Sequence, residues 1–94
     1  MSLEFHLGQI IMTREVNNKT AFDASFSKFV QESIVRHSKG DWGDISKEDK
    51  RTNASALKTG ERLHSAYEKD PFPKIWVITG ADRSVTDVMF PEDY

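Results

Sequence analysis

The sequence predicts an α+β domain: a small antiparallel sheet, formed by a C-terminal three-stranded meander and one N-terminal strand, with two helices. Three observations predict it. Phe22, Phe26, Phe29, Val30 and Ile34 recur at the spacing of one helix face. Lys74 to Thr79 (KIWVIT) is the run densest in β-branched and aromatic residues. Turn-forming clusters of Gly, Pro and Asp divide the last third of the chain into short strand-like pieces.

In chain order, Phe5 to Met12 (FHLGQIIM) reads as a strand, with Ile10 and Ile11 β-branched and Gly8 at a bulge position. Asn17-Asn18 supplies turn chemistry. The aromatic stripe then sets a helix from about Phe22 to His37. Arg36 and Lys39 complement its C-terminal dipole, and Gly40 is its left-handed stop. Ser46 followed by Asp49 is a near capping box, opening a second helix from Lys47 to Thr59 that Gly60 closes. Its apolar stripe is only Ala54, Ala56 and Leu57, so it lies on the domain rather than inside it. Arg62 to Glu68 is a strand, Lys69 to Pro73 a turn, and Lys74 to Thr79 the central strand. Gly80 to Ser84 is a hairpin loop, and Val85 to Phe90 returns until Pro91 ends the ladder. A four-residue loop groups Ile75, Val77, Val88 and Phe90 on one face; a five-residue loop groups Trp76 and Ile78 with Val88. Both sheet faces carry large apolar groups, and two short helices cover one of them poorly. A homodimer contact at Trp76 or Met89 is therefore expected.

Ninety-four residues form one domain, 1–94, with a core that buries roughly 65% of the unfolded surface. Such a chain keeps little volume for a deep private active site. It has no cysteine, which removes disulfides, thiolate metal sites and cysteine nucleophiles and favours the reducing cytoplasm. No apolar run approaches a membrane span, and the opening Met1-Ser2-Leu3-Glu4-Phe5 lacks the features of a signal peptide. The net charge of −2 argues against a general nucleic-acid binder, whose affinity needs a basic surplus.

The histidines His6, His37 and His64 are scattered, with no His-x-x-x-His or His-Glu pairing, so no metal and no cofactor is expected. His37 follows the apolar stripe and reads as a helix-terminal residue that favours the macrodipole; a catalytic base is the lesser reading. Asp41, Asp44, Glu48 and Asp49 lack the alternating order of a calcium loop and suit a helix start. Trp42 reads as an anchor that pins its loop, and Trp76 as core or interface. Arg83, in Asp82-Arg83-Ser84, exceeds what a turn requires. It either pairs with Asp41 or Asp44 to tie two loops together, or presents a fork to a partner's carboxylate or phosphate.

Two motifs carry a resemblance: Gly40-Asp41-Trp42-Gly43-Asp44, and Ile78-Thr79-Gly80-Ala81-Asp82-Arg83-Ser84-Val85-Thr86. With the Leu7 to Ile10 strand, His37, Glu48 to Lys50, Asn53, Ala56-Leu57, Gly60, Arg62-Leu63, Ser65 to Tyr67, Trp76 and Pro91 to Tyr94, nearly the whole chain is similar to one family. It resembles a group of small bacterial proteins often found on plasmids and other mobile elements. Gly80 stands where relatives often carry an acidic residue. The resemblance implies an accessory protein of mobile DNA and brings no defined activity.

The first expectation is a non-catalytic, cytoplasmic, protein-binding accessory domain whose binding residues are Asp41, Trp42, Asp44, Asp82, Arg83 and Ser84, with no catalytic residues. The second is a nucleic-acid-associated module using Arg51, Arg62, Arg83 and lysines. The third is a small enzyme relying on Asp82, Arg83 and His37.

Overall fold

The computed structural model describes residues 5–94; the opening segment Met1 to Glu4 lies outside them. The elements run β1 (Gln9–Met12), α1 (Arg14–Phe22), α2 (Ala24–Ser38), α3 (Lys47–Thr59), β2 (Leu63–Lys69), β3 (Phe72–Thr79), β4 (Val85–Met89) and a 3-10 turn at Pro91–Asp93. The four strands form one sheet in the order β1-β4-β3-β2. The fold is α+β, and the C-terminal meander is present with KIWVIT in an interior strand.

Several features differ from the sequence reading: β1 begins at Gln9 rather than Phe5, and β3 takes in Phe72 and Pro73 of the expected turn. The sheet is mixed, because β1 runs parallel to β4, with Ile10 beside Thr86 and Met12 beside Val88. Parallel neighbours need a long crossover, and the helical stretch between β1 and β2 supplies one. There are also three helices, since Asn17-Asn18 lies inside α1. Thr13 caps that helix by accepting from the Val16 N–H, and buried Val16 anchors it. Asp23 then ends α1 and starts α2, its side chain accepting from the Phe26 N–H at 3.0 Å. Phe22 falls at this break and is 92% exposed, outside the stripe to which its spacing assigned it.

Helix α3 has the predicted bounds, with Ser46 Oγ accepting from the Asp49 N–H at its start and left-handed Gly60 at its end. Residues Thr79 and Thr86 pair across the last hairpin, leaving Ala81 to Ser84 as the loop. The four-residue alternative is realised. Ile75, Val77 and Val88 meet Val16, Phe26, Phe29, Val30 and Tyr67 in the main core, with Phe90 packed against it. Helices α1 and α2 thus cover one face.

On the other face Trp76 lies edge-on between His64 and Tyr94, at centroid distances of 4.6 and 5.7 Å. The aromatic groups cover part of the surface where a dimer contact was expected. Among the described residues, no helix is long and apolar enough to cross a membrane.

Candidate functional site

The two motif loops are built by internal hydrogen bonds. Asp41 receives a two-pronged contact from Arg36, at 2.7 and 3.1 Å, and Arg36 also lies over the Tyr67 ring. The Arg36 hydrogen bond holds the Asp41 carboxyl below its ordinary value. Because both side chains are about half exposed, the pair contributes only about 0–1 kcal/mol. Trp42 is buried against Ala56 and Leu63, as an anchoring side chain should be. Gly43 approaches β2 so closely that a Cβ there would collide with the Ala66 carbonyl and lie 2.6 Å from the Tyr67 ring.

This approach lets the loop act as a partial fifth strand. The Ala66 N–H donates to the Trp42 carbonyl at 3.2 Å, and the Asp44 N–H donates to the Ala66 carbonyl at 2.6 Å. The Glu68 N–H donates to Asp44 Oδ2 at 2.9 Å. From α3, the Asn53 side chain donates to the His64 carbonyl at 2.8 Å and accepts from the His64 N–H at 3.2 Å. The outer edge of β2 is thereby sealed from His64 to Glu68. Sequence reasoning missed Asn53 in this role; its signal is a polar residue at a buried helix position beside Ala56.

Arg83 takes neither of its expected partners. Its residue has φ +61, and its guanidinium donates to the carbonyls of Glu61 (2.6 Å), Gly80 (3.0 Å) and Ala56 (3.1 Å). It therefore caps the C-terminal end of α3, where a cation suits the helix dipole. Asp82 Oδ1 accepts from the Ser84 N–H and hydroxyl, which lowers its carboxyl's affinity for protons. The two loops meet through Phe5, which stacks 6.1 Å from Trp42 and carries Arg83 at 5.7 Å from its centroid. Asp41 and Asp44 spend their polar contacts on α2 and β2 instead.

His37 is fully buried, with Nδ1 against Ser65 Oγ and Nε2 2.9 Å from Thr79 Oγ1. Thr79 Oγ1 lies 2.7 Å from Thr86 Oγ1, and the Thr86 hydroxyl donates to the Leu7 carbonyl at 2.6 Å. Each hydroxyl has one proton, so the direction of the whole chain follows. Thr86 spends its proton on Leu7; Thr79 must donate to Thr86 and so accept from His37 Nε2–H. Ser65 then donates to Nδ1. His37 is the neutral Nε2–H tautomer, and burial pushes its pKa down to about 3, with smaller effects from His64 and Arg83. A Ser–His pair at hydrogen-bond distance has the outline of a nucleophile and base. Here both residues are fully buried, and a base with so low a pKa is a poor proton acceptor.

A cleft of about 380 Å³ opens beside α3, lined among others by Asp44, Asp49, Arg62, His64, Lys74 and Trp76. Burial and then the Arg62 charge lower the His64 pKa. Among the described residues, no group of three potential ligands gathers in a geometry that holds a metal ion.

The opposite edge of the sheet differs from β2. Gln9 N–H donates to the Ser84 carbonyl at 2.9 Å and Thr13 N–H to the Val88 carbonyl at 3.0 Å, so these groups face β4. By the alternation of a strand, the N–H and C=O of Ile10 and Met12 face outward. Ile10 and Ile11, on opposite faces, remain 42% and 41% exposed. The signal in the sequence was two adjacent isoleucines in the first strand. Comparison with family models, with curated proteins and with solved structures finds no match for the chain.

Proposed function

We propose that this chain is a non-catalytic accessory domain of plasmids or other mobile elements that acts in the cytoplasm by binding a protein. The observation that carries the reading is the difference between the two sheet edges. The β2 edge is closed by Trp42, Asp44 and Asn53, whereas β1 presents outward backbone groups flanked by two half-exposed isoleucines. An edge of that kind is satisfied by an added strand, whose backbone supplies the hydrogen bonds and whose side chains cover the isoleucines. Cytoplasmic location rests on the cysteine-free composition. The expected binding residues Asp41, Trp42, Asp44, Asp82, Arg83 and Ser84 serve this reading as the frame that closes the other edge and holds α3.

The alternatives find less support. A nucleic-acid module would use Arg51, Arg62 and Arg83, but Arg83 is occupied by three carbonyls and Arg62 donates to the Tyr94 hydroxyl. An enzyme would need His37 at a surface from which it is withdrawn.

The test is capture from nuclease-treated extract of the native host by the immobilised chain and two variants. A protein should be retained by the parent and by Arg51→Glu and lost with Ile11→Lys. A partner that disappears on nuclease treatment, or that binds Ile11→Lys unchanged, would overturn the reading.

A further inference from the structure

We infer that the strand added to β1 is β1 of a second copy, giving a two-fold dimer with one continuous sheet. The inference rests on the reading of β1 as a binding edge and names its partner. The outward groups of Ile10 and Met12 fix the geometry. An antiparallel copy centred on Ile11 sets Ile10 against Met12 of the partner and Met12 against Ile10 of the partner. Each of these two pairs exchanges both backbone hydrogen bonds, so every outward-facing backbone group within β1 is used. Ile11 then meets its own copy in the close, non-hydrogen-bonded position, on the face away from α1 and α2. The exposed parts of Ile10 and Ile11 are covered together.

Two further properties select a second copy as the occupant. No side chain from Gln9 to Thr13 is charged, so the segment opposes itself without like-charge repulsion. Among the described residues the sealed β2 edge leaves β1 as the one open edge of the sheet, and a self-complementary contact through a single edge closes as a two-fold pair rather than growing into a filament. The paired sheet reads β2-β3-β4-β1-β1-β4-β3-β2. A contact built on so short a strand falls at the weak end of specific interfaces, below about 1,200 Å² in total, so association should depend on concentration in roughly the micromolar range or above.

The absence of cysteine makes the register directly testable. Opposed residues at a non-hydrogen-bonded antiparallel position have Cα atoms about 4.5 Å apart, within disulfide reach. Under mild oxidation Ile11→Cys should give a covalent dimer at least ten times faster than Gln9→Cys, whose copies lie at opposite ends of the ladder. Sedimentation of the parent between about 10 μM and 1 mM should show a monomer–dimer equilibrium. Ile11→Lys should be monomeric throughout with an unchanged circular dichroism spectrum. Ile10→Pro, which removes an outward N–H and leaves pairing with β4 intact, is the second variant should the lysine disturb folding. Equal cross-linking at the two cysteine positions, a monomeric parent at 1 mM, or a dimer that survives Ile10→Pro would overturn the inference. A monomeric parent that still captures a host protein through Ile11 would remove the dimer and leave the proposed function standing. A dimer whose parent captures no host protein would do the reverse.

Discussion

His37 shows how a side chain can satisfy the core only in one protonation state. A free histidine titrates near 6.5, and the folded chain holds His37 near 3, so between these values the unfolded chain binds the extra proton. The stability it contributes is complete above about pH 6.5 and is lost as pH falls toward 3, at a slope of about 1.4 kcal/mol per pH unit. Half-buried His64 is lowered as well and acts in the same direction. Urea unfolding should therefore show a loss of about 2 kcal/mol between pH 6.5 and pH 5, and His37→Gln should flatten this dependence. An unchanged slope in the variant would assign the acid sensitivity elsewhere. The sequence reading made His37 a helix-terminal residue favoured by the macrodipole, whereas the side chain is neutral and bonded inside the core. That reading could not reveal that Ser65 and Thr79, from two strands, complete its hydrogen bonds, because that depends on which strands become neighbours.

At the scale of elements, the polar groups that exceed local needs turn out to join one element to another. Arg83 lies in the β3–β4 hairpin and serves α3, donating to the carbonyls of Ala56 and Glu61 at the end of that helix as well as to Gly80 of its own hairpin. Arg83→Ala leaves these carbonyls without a charged donor and should cost about 1–2 kcal/mol, lowering the melting temperature by roughly 5–15 °C. A shift within a degree or two would show that water replaces the guanidinium at little cost. The bounds of α3 were legible because both ends carry local signals, Ser46 and Gly60. The first helix was not, since Asn17-Asn18 favours a turn in isolation, while the Thr13 cap and the burial of Val16 hold it helical. Asp93 adds a tie that no local pattern announces, accepting from the Thr13 hydroxyl at 2.8 Å and from the Phe90 N–H at 3.0 Å.

Across the whole molecule, periodicity conveyed the α+β class and the meander but left Val88 between two groupings, which the Val77–Val88 and Thr79–Thr86 pairing resolves. It did not convey the direction of β1, because an alternating pattern looks the same from either end of a strand. The contrast between the two edges was hidden for a similar reason: Asn53 and Asp44 close β2 only after α3 and the Trp42 loop have docked. That docking has a kinetic side. Helix α3 buries only Asn53 and Ala56 and carries exposed Lys47, Lys50, Arg51 and Lys58, so it should open more often than the sheet beneath it. Brief trypsin treatment should therefore nick the chain first between Lys47 and Arg62, and faster in Asn53→Ala; first cuts within α2 would contradict this. Each such opening also bares the edge of β2, so a nicked population should clump while intact chains stay dispersed. The lifetime of the protein in a protease-rich cell is then governed by how tightly one short helix is held, long before the core itself gives way.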